Sequence, residues 1–139
     1  MLRLLITLAL CVPAGSAVAL TGTDLRASFA PCGSGKRVTC IVDGDTFWLR
    51  GTKIRIADIN TPEVTHADCQ AEKALGNQAT QRMMALLNAA PFALIRDGRD
   101  EDRYGRKLRV VTRAGHSLGK QLVREGLAEL WNGKRRNWC

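Results

Sequence analysis

The chain has 139 residues, a formal net charge of +8, 5% aromatic residues and five cysteines. That length holds one ordinary domain with its own core and excludes two domains joined by a linker, while 45% hydrophobic and 24% charged residues exclude a disordered chain. An excess of 21 basic over 13 acidic residues points to a polyanionic partner or a membrane surface; because 15 of the 21 are arginine, an arginine-favouring genome accounts for it equally well.

Residues 1–19 read as a signal peptide. Arg3 gives a positive start, Leu4 to Ala14 is apolar, and Ala17-Val18-Ala19 is the small-x-small pattern cut by signal peptidases. Pro13 and Gly15 interrupt the run, which falls short of the ~20 apolar residues of a spanning helix, so no stable membrane association is expected after cleavage. A secreted or periplasmic location follows, and with it oxidised cysteines. Cys32, Cys40, Cys69 and Cys139 remain, and four thiols allow three connectivities. The pairing preferred here is Cys32 with Cys40, stapling the start of the fold, and Cys69 with Cys139, tying the end of the chain to the first helix. His66 and His116 are isolated and no CxxC occurs, so zinc has no support.

Residues 20–35 read as an N-terminal loop segment, and 36–139 as the domain proper. Strand-like runs cover Lys36 to Val42, Thr46 to Arg50 and Lys53 to Ile59, with turn signals at Asp43-Gly44 and Gly51-Thr52, which predicts a three-stranded antiparallel meander. The polar loop Asn60 to Ala67 follows. Ala71, Leu75, Ala79, Met83 and Leu86 then repeat at helical spacing, with Asp68 as cap and Asn88 and Pro91 as stop. Phe92 to Arg96 and Lys107 to Thr112 read as two further strands around the charged loop Asp97 to Gly105. A second helix runs from Ser117 to Gly126, before a basic tail from Gly133 to Cys139. Five strands with one helix after the third and one at the end give an α+β fold, a five-stranded Greek-key barrel of the OB type with two helices, a plan that often binds oligonucleotides.

Three clusters carry chemistry: Asp43-Gly44-Asp45-Thr46, the run from Arg55 to Glu63, and Asp102-Arg103-Tyr104-Gly105-Arg106. Each alone reads more plainly, as a hairpin turn, a helix approach and a charged loop. Together they offer oxygen ligands for a hard divalent cation, a spare carboxylate and two arginines. Phosphodiester hydrolysis needs that set: a cation to polarise the phosphoryl oxygen, a base for water, and fixed positive charge for the transition state.

From Lys36 to about Leu130 the sequence resembles the staphylococcal nuclease (thermonuclease) family. The matching segments are Val42 to Thr46, Ile54-Arg55-Ile56 continuing to Thr61-Pro62-Glu63, Asp102 to Arg106, and Leu122 to Ala128. The resemblance implies an OB-fold barrel and a calcium-dependent (Ca2+) endonuclease that acts on DNA and RNA and leaves 3′-phosphates; a monomer is expected. It implies Asp45 as a calcium carboxylate, Thr61 as a carbonyl donor and Asp43 as a carboxylate behind them. Glu63 falls at the general base, Arg55 and Arg106 at the arginines on the scissile phosphate, and Arg103 and Tyr104 at a neighbouring phosphate.

Asn60 stands where the family usually has a second calcium carboxylate; its amide oxygen can still ligate calcium, at the loss of one charge. Asp58 is a candidate to compensate, although strand alternation sets it beside Ile54 and Ile56, and the chain must bend between Arg55 and Asn60 for both to serve one site. The family's long C-terminal helix and its base-covering tyrosines have no match, and Trp131 reads as a buried structural residue. The alternative is a non-catalytic OB-type module that binds nucleic acid. Membrane activity is poorly supported, because no helix is both strongly basic and amphipathic.

Overall fold

The computed structural model describes residues 24–139, so the signal-peptide reading of 1–19 lies outside it. Strands β1 (Cys40–Asp43), β2 (Thr46–Leu49) and β3 (Thr52–Ile56) form the expected antiparallel meander. Arg50 and Gly51 both take positive φ at its second turn, where Gly51 meets no steric penalty. After β4 (Ile59–Asn60) come helix α1 (Gln70–Ala89), β5 (Ala93–Ile95), β6 (Lys107–Arg113), β7 (His116–Ser117), helix α2 (Leu118–Arg124) and β8 (Glu129–Leu130).

The main sheet runs β1-β2-β3-β6-β5, with β3 and β6 parallel and β7 added to β6. It is an open, mixed sheet: among the described residues no ladder joins β5 to β1, where sequence had suggested a closed five-stranded barrel. β4 and β8 form a separate two-stranded pair, also beyond the five strands expected. The segment read as a loop lies across the open side. Leu25 exchanges backbone hydrogen bonds with Phe92 just before β5, and Ile41 of β1 is bonded to Ala30 and Cys32. Phe29 is inserted into the core, edge-on to Phe47.

Period-2 alternation places Ile54 and Ile56 of β3 in the core and leaves Lys53 and Arg55 on the other face. The core joins these with Ile41, Phe47, Ile59, Met83, Leu87, Phe92, Val111 and Leu122. Helix α1 starts one residue later than Asp68 predicted a cap, with Cys69 as N-cap and its Sγ accepting from the Glu72 N–H. Its last turns follow the predicted stripe, but in its first turns Glu72 and Gly76 face inward while Ala71 is exposed and Leu75 half-buried. That end packs against polar loop backbone, which calls for a hydrogen-bond acceptor and close approach rather than bulk. Helix α2 has the predicted Ser117 cap, whose Oγ accepts from the Lys120 N–H. The Sγ atoms of Cys32 and Cys40 lie 2.04 Å apart and those of Cys69 and Cys139 2.11 Å, the pairing preferred on sequence. Among the described residues no helix is long and apolar enough to cross a membrane.

Candidate active site

A cleft of about 530 Å³ opens on the far side of the meander from the core, lined among others by Asp43, Asp45, Arg55, Glu63, His66, Arg106 and Arg135. Three local features deliver these side chains. The β1–β2 pairing shifts register between Ile41 and Asp43, an irregularity that re-aims the strand end so that both aspartates reach the cleft. Thr46 pairs with Arg55 across β2 and β3. Parallel pairing of β3 with β6 sets Lys107 beside Ile54 and Leu108 beside Arg55, so that Arg106, two residues before Leu108, enters the same cleft as Arg55.

Asp45 and Arg55 are both nearly buried and form an ion pair at 3.2 Å. The Asp45 carboxylate also accepts from the Thr61 N–H at 2.9 Å and the Thr46 hydroxyl at 3.1 Å. Arg55 also donates to the carbonyls of Ile56 and Ile59, the latter at 2.9 Å, and lies 3.4 Å from Asn60 Oδ1. Its guanidinium thus spans Asp45 and Asn60. The predicted bend exists: β3 ends at Ile56, Ala57 and Asp58 turn, and β4 resumes at Ile59. Asn60 is buried, its oxygen on Arg55 and its amide N–H on Glu129 Oε1 at 2.9 Å. Asp58 does not compensate for it. Asp58 Oδ2 accepts from Ser117 Oγ at 2.6 Å and its Oδ1 faces Gly119, so it serves the start of α2.

The Asp43 carboxyl is pushed up to about 7, first by burial and then by the charge of Asp45, with Glu63 adding a smaller push. Among the described residues no three His, Cys, Asp or Glu side chains gather closely enough to cage an ion alone. Oxygen donors of this kind suit a hard divalent cation, which would offset the part of the Asp43 shift that comes from the charges of Asp45 and Glu63.

Glu63 is held from behind. The buried Glu72 accepts from the Glu63 N–H at 3.2 Å and the Asp68 N–H at 2.8 Å, clamping the loop onto α1. Gly76 makes this approach possible, because a Cβ there would stand 2.6 Å from the Glu63 carbonyl oxygen and 2.7 Å from that of Pro62. Gly44 plays the same part at the aspartate turn, where a Cβ would stand 2.8 Å from the Thr61 side chain and 2.9 Å from that of Ala79. In front, the Glu63 carboxylate pairs with Arg135 at 2.8 Å.

Arg106 Nε donates to Asp102 at 2.6 Å, and the Asp102 carboxylate also accepts from the Tyr104 and Arg106 N–H groups. Burial works to raise the Asp102 carboxyl; those hydrogen bonds outweigh it and hold it below its ordinary value. Arg103 and Arg106 lie over the Tyr104 ring, 4.8 and 5.5 Å from its centroid. Arg103 and Tyr104 line a second hollow of about 440 Å³ that shares Arg55, Arg106 and Arg135 with the first. Trp131 stands on its wall, 43% exposed and 5.9 Å from Arg55, so it is not the buried structural residue expected. Sequence reasoning missed Arg135, Glu72, Glu129 and Gly76. A glycine inside a strong helical pattern was the one legible signal.

An acid-lined cleft beside paired arginines on an α+β sheet defines a class of phosphate-handling proteins. The sequence pattern described as "Staphylococcal nuclease homologue" matches residues 53–137, more than half of the chain, and the protein belongs to that family. The match includes Arg55, Glu63, Arg106 and Arg135 and leaves Asp43 and Asp45 outside. No curated protein matches the chain. Family members are generally nucleases, typically calcium-dependent, and bind nucleic acid; a nuclease-like or nucleic-acid-binding function follows.

Proposed function

We propose that the protein is an exported, calcium-dependent endonuclease that cleaves DNA and RNA to 3′-phosphate products, as a monomer built on an OB-type barrel. The observation that carries this reading is the convergence of Arg55, Arg106 and Glu63 on one cleft with two aspartates. The strand order β1-β2-β3-β6-β5 supports the barrel, and two cysteine pairs support an oxidising compartment. Residues 1–19 are the proposed signal peptide, ahead of the 20–35 segment and the domain at 36–139.

Asp45, with Asn60 and the Thr61 carbonyl, is the proposed calcium ligand set, Asp43 lying behind it; calcium bound there supplies Lewis-acid polarisation of a phosphoryl oxygen. Glu63 takes the proton of the attacking water on a carboxylate oxygen. As the water oxygen bonds to phosphorus, the bond to the 5′ oxygen breaks, and that oxygen is protonated by solvent. Arg55 and Arg106 place paired N–H donors on the charge that grows on phosphorus-bound oxygens, a fork that lysine lacks. Neither arginine is the acid, because guanidinium does not release its proton in this range. Arg103 and Tyr104 hold a neighbouring phosphate, and exposed Trp131 offers a face for a base to stack on.

Purified protein incubated with single-stranded DNA, duplex DNA and RNA, in calcium, magnesium or chelator, tests the reading. Cleavage in calcium is expected, with Glu63→Gln lowering kcat about 10²–10⁴-fold while oligonucleotide binding persists. Full activity in Glu63→Gln overturns it. The second reading, a binding module without catalysis, is favoured by Arg55 spanning Asp45 and Asn60. It expects salt-sensitive binding and no cleavage at any calcium concentration.

A further inference from the structure

We infer that Arg135, carried into the cleft by a disulfide-anchored segment, is a third phosphate-binding arginine that rests on Glu63 until the nucleic-acid strand displaces it. The inference rests on the nucleic-acid reading above. Arg135 is not buried structure: its side chain is 66% exposed and its partner Glu63 25%. An ion pair that open contributes too little to stability to account for the segment's path. Its position is informative. Arg135 lines both hollows that share Arg55 and Arg106, and also a third beside Asn60 and Trp138. It therefore stands where a strand crossing from one hollow to the other must pass.

The segment is pinned from the residue after Arg135 onward. Behind it, the Arg136 N–H donates to Glu129 Oε1 at 2.8 Å, the same oxygen that accepts from Asn60. Further on, the Arg136 guanidinium lies 4.8 Å from the Trp138 ring centroid, and Cys139 is joined to Cys69 at the N-terminus of α1. These anchors fix the backbone and leave the long Arg135 side chain free to turn. A phosphodiester accepts the planar guanidinium in the same paired geometry as a carboxylate. On arrival of the strand, Arg135 exchanges Glu63 for a phosphate oxygen, and the Glu63 carboxylate is released for its water.

The test combines single-stranded oligonucleotide binding by fluorescence anisotropy across a salt series in chelator with steady-state cleavage in calcium. Arg135→Ala is expected to weaken binding about tenfold at low salt, to raise KM similarly without lowering kcat, and to make the log–log salt slope shallower by about 0.7. Arg135→Lys keeps the slope. Cys69→Ser, in which serine still caps α1, reproduces the shallower slope, and Cys139→Ser does the same. Lys134→Ala removes an equal charge from an exposed neighbour outside these anchors and is expected to change the slope less. An unchanged slope and KM in Arg135→Ala, a lowered kcat at constant KM, or an equal effect of Lys134→Ala overturns the inference. An unaltered slope in both cysteine variants overturns the anchoring. Failure of the wild type to cleave any substrate instead sinks the nuclease reading, while the anisotropy arm still decides Arg135.

Discussion

Asp43 sets the pH response of the site. Its folded pKa of about 7 lies above the ordinary 3.8, so the folded protein binds the proton more tightly than the unfolded chain does. The stability this adds is complete below the ordinary carboxylate range and is lost as pH rises toward 7 and past it. Asp43→Asn keeps the neutral, buried form at every pH. In chelator its Tm is expected to exceed that of the wild type by several degrees at pH 8 and to match it near pH 4. Thermal melts across that range check this, and a parallel decline of both proteins would contradict it. Asp100 behaves in the opposite sense. Hydrogen bonds from Lys107 and Arg109 lower its carboxyl to about 2, fastening the loop that ends in Arg106 to β6.

At the level of elements, α1 is the platform of the site, and its inward end shows how far the sequence could be read. The stripe Ala79, Met83 and Leu86 follows apolar periodicity, and those residues are buried. One turn earlier the inward positions are Glu72 and Gly76, which periodicity assigns to solvent, because there the helix meets backbone N–H and carbonyl groups. Gly76→Ala weighs the two effects. Alanine improves helix propensity by about 1 kcal/mol, but its Cβ meets two backbone carbonyls that cannot turn aside. Overpacking of about 1–3 kcal/mol prevails, so the variant is expected to be less stable and, with Glu63 displaced, slower. Urea denaturation and kcat check the two halves. The meander and both helices were legible because they rest on local period and turn chemistry; Asp43, Asp45, Arg55, Glu63 and Arg106 were legible only as charged clusters that the family resemblance singles out. The Asn60 orientation, the pairing of β4 with β8 and the Arg135 contact were not, since each joins residues far apart in the chain.

For the whole molecule, the two cysteine pairs differ in what they do. Closing the 70-residue separation between Cys69 and Cys139 is worth about 4 kcal/mol by loop entropy, against about 2.5 kcal/mol for the separation of 8 between Cys32 and Cys40. The longer link ends in an exposed segment that also gains freedom in the native state once cut, so its measured loss falls below that figure. Cys139→Ser is therefore expected to lower stability in urea by less than about 4 kcal/mol, and a larger loss would show that the segment braces the fold as well as the cleft. The stretch from Leu25 to Cys32 has a different consequence, for the order of assembly. In a chain made from its amino end, this stretch emerges before the strands it joins, and Phe92, its backbone partner next to β5, comes only after the whole of α1. The earliest-made stretch of the described residues is thus among the last to be seated. Once formed, the Cys32–Cys40 bond keeps it waiting at the edge of β1, so that docking Phe29 into the core is a short-range search.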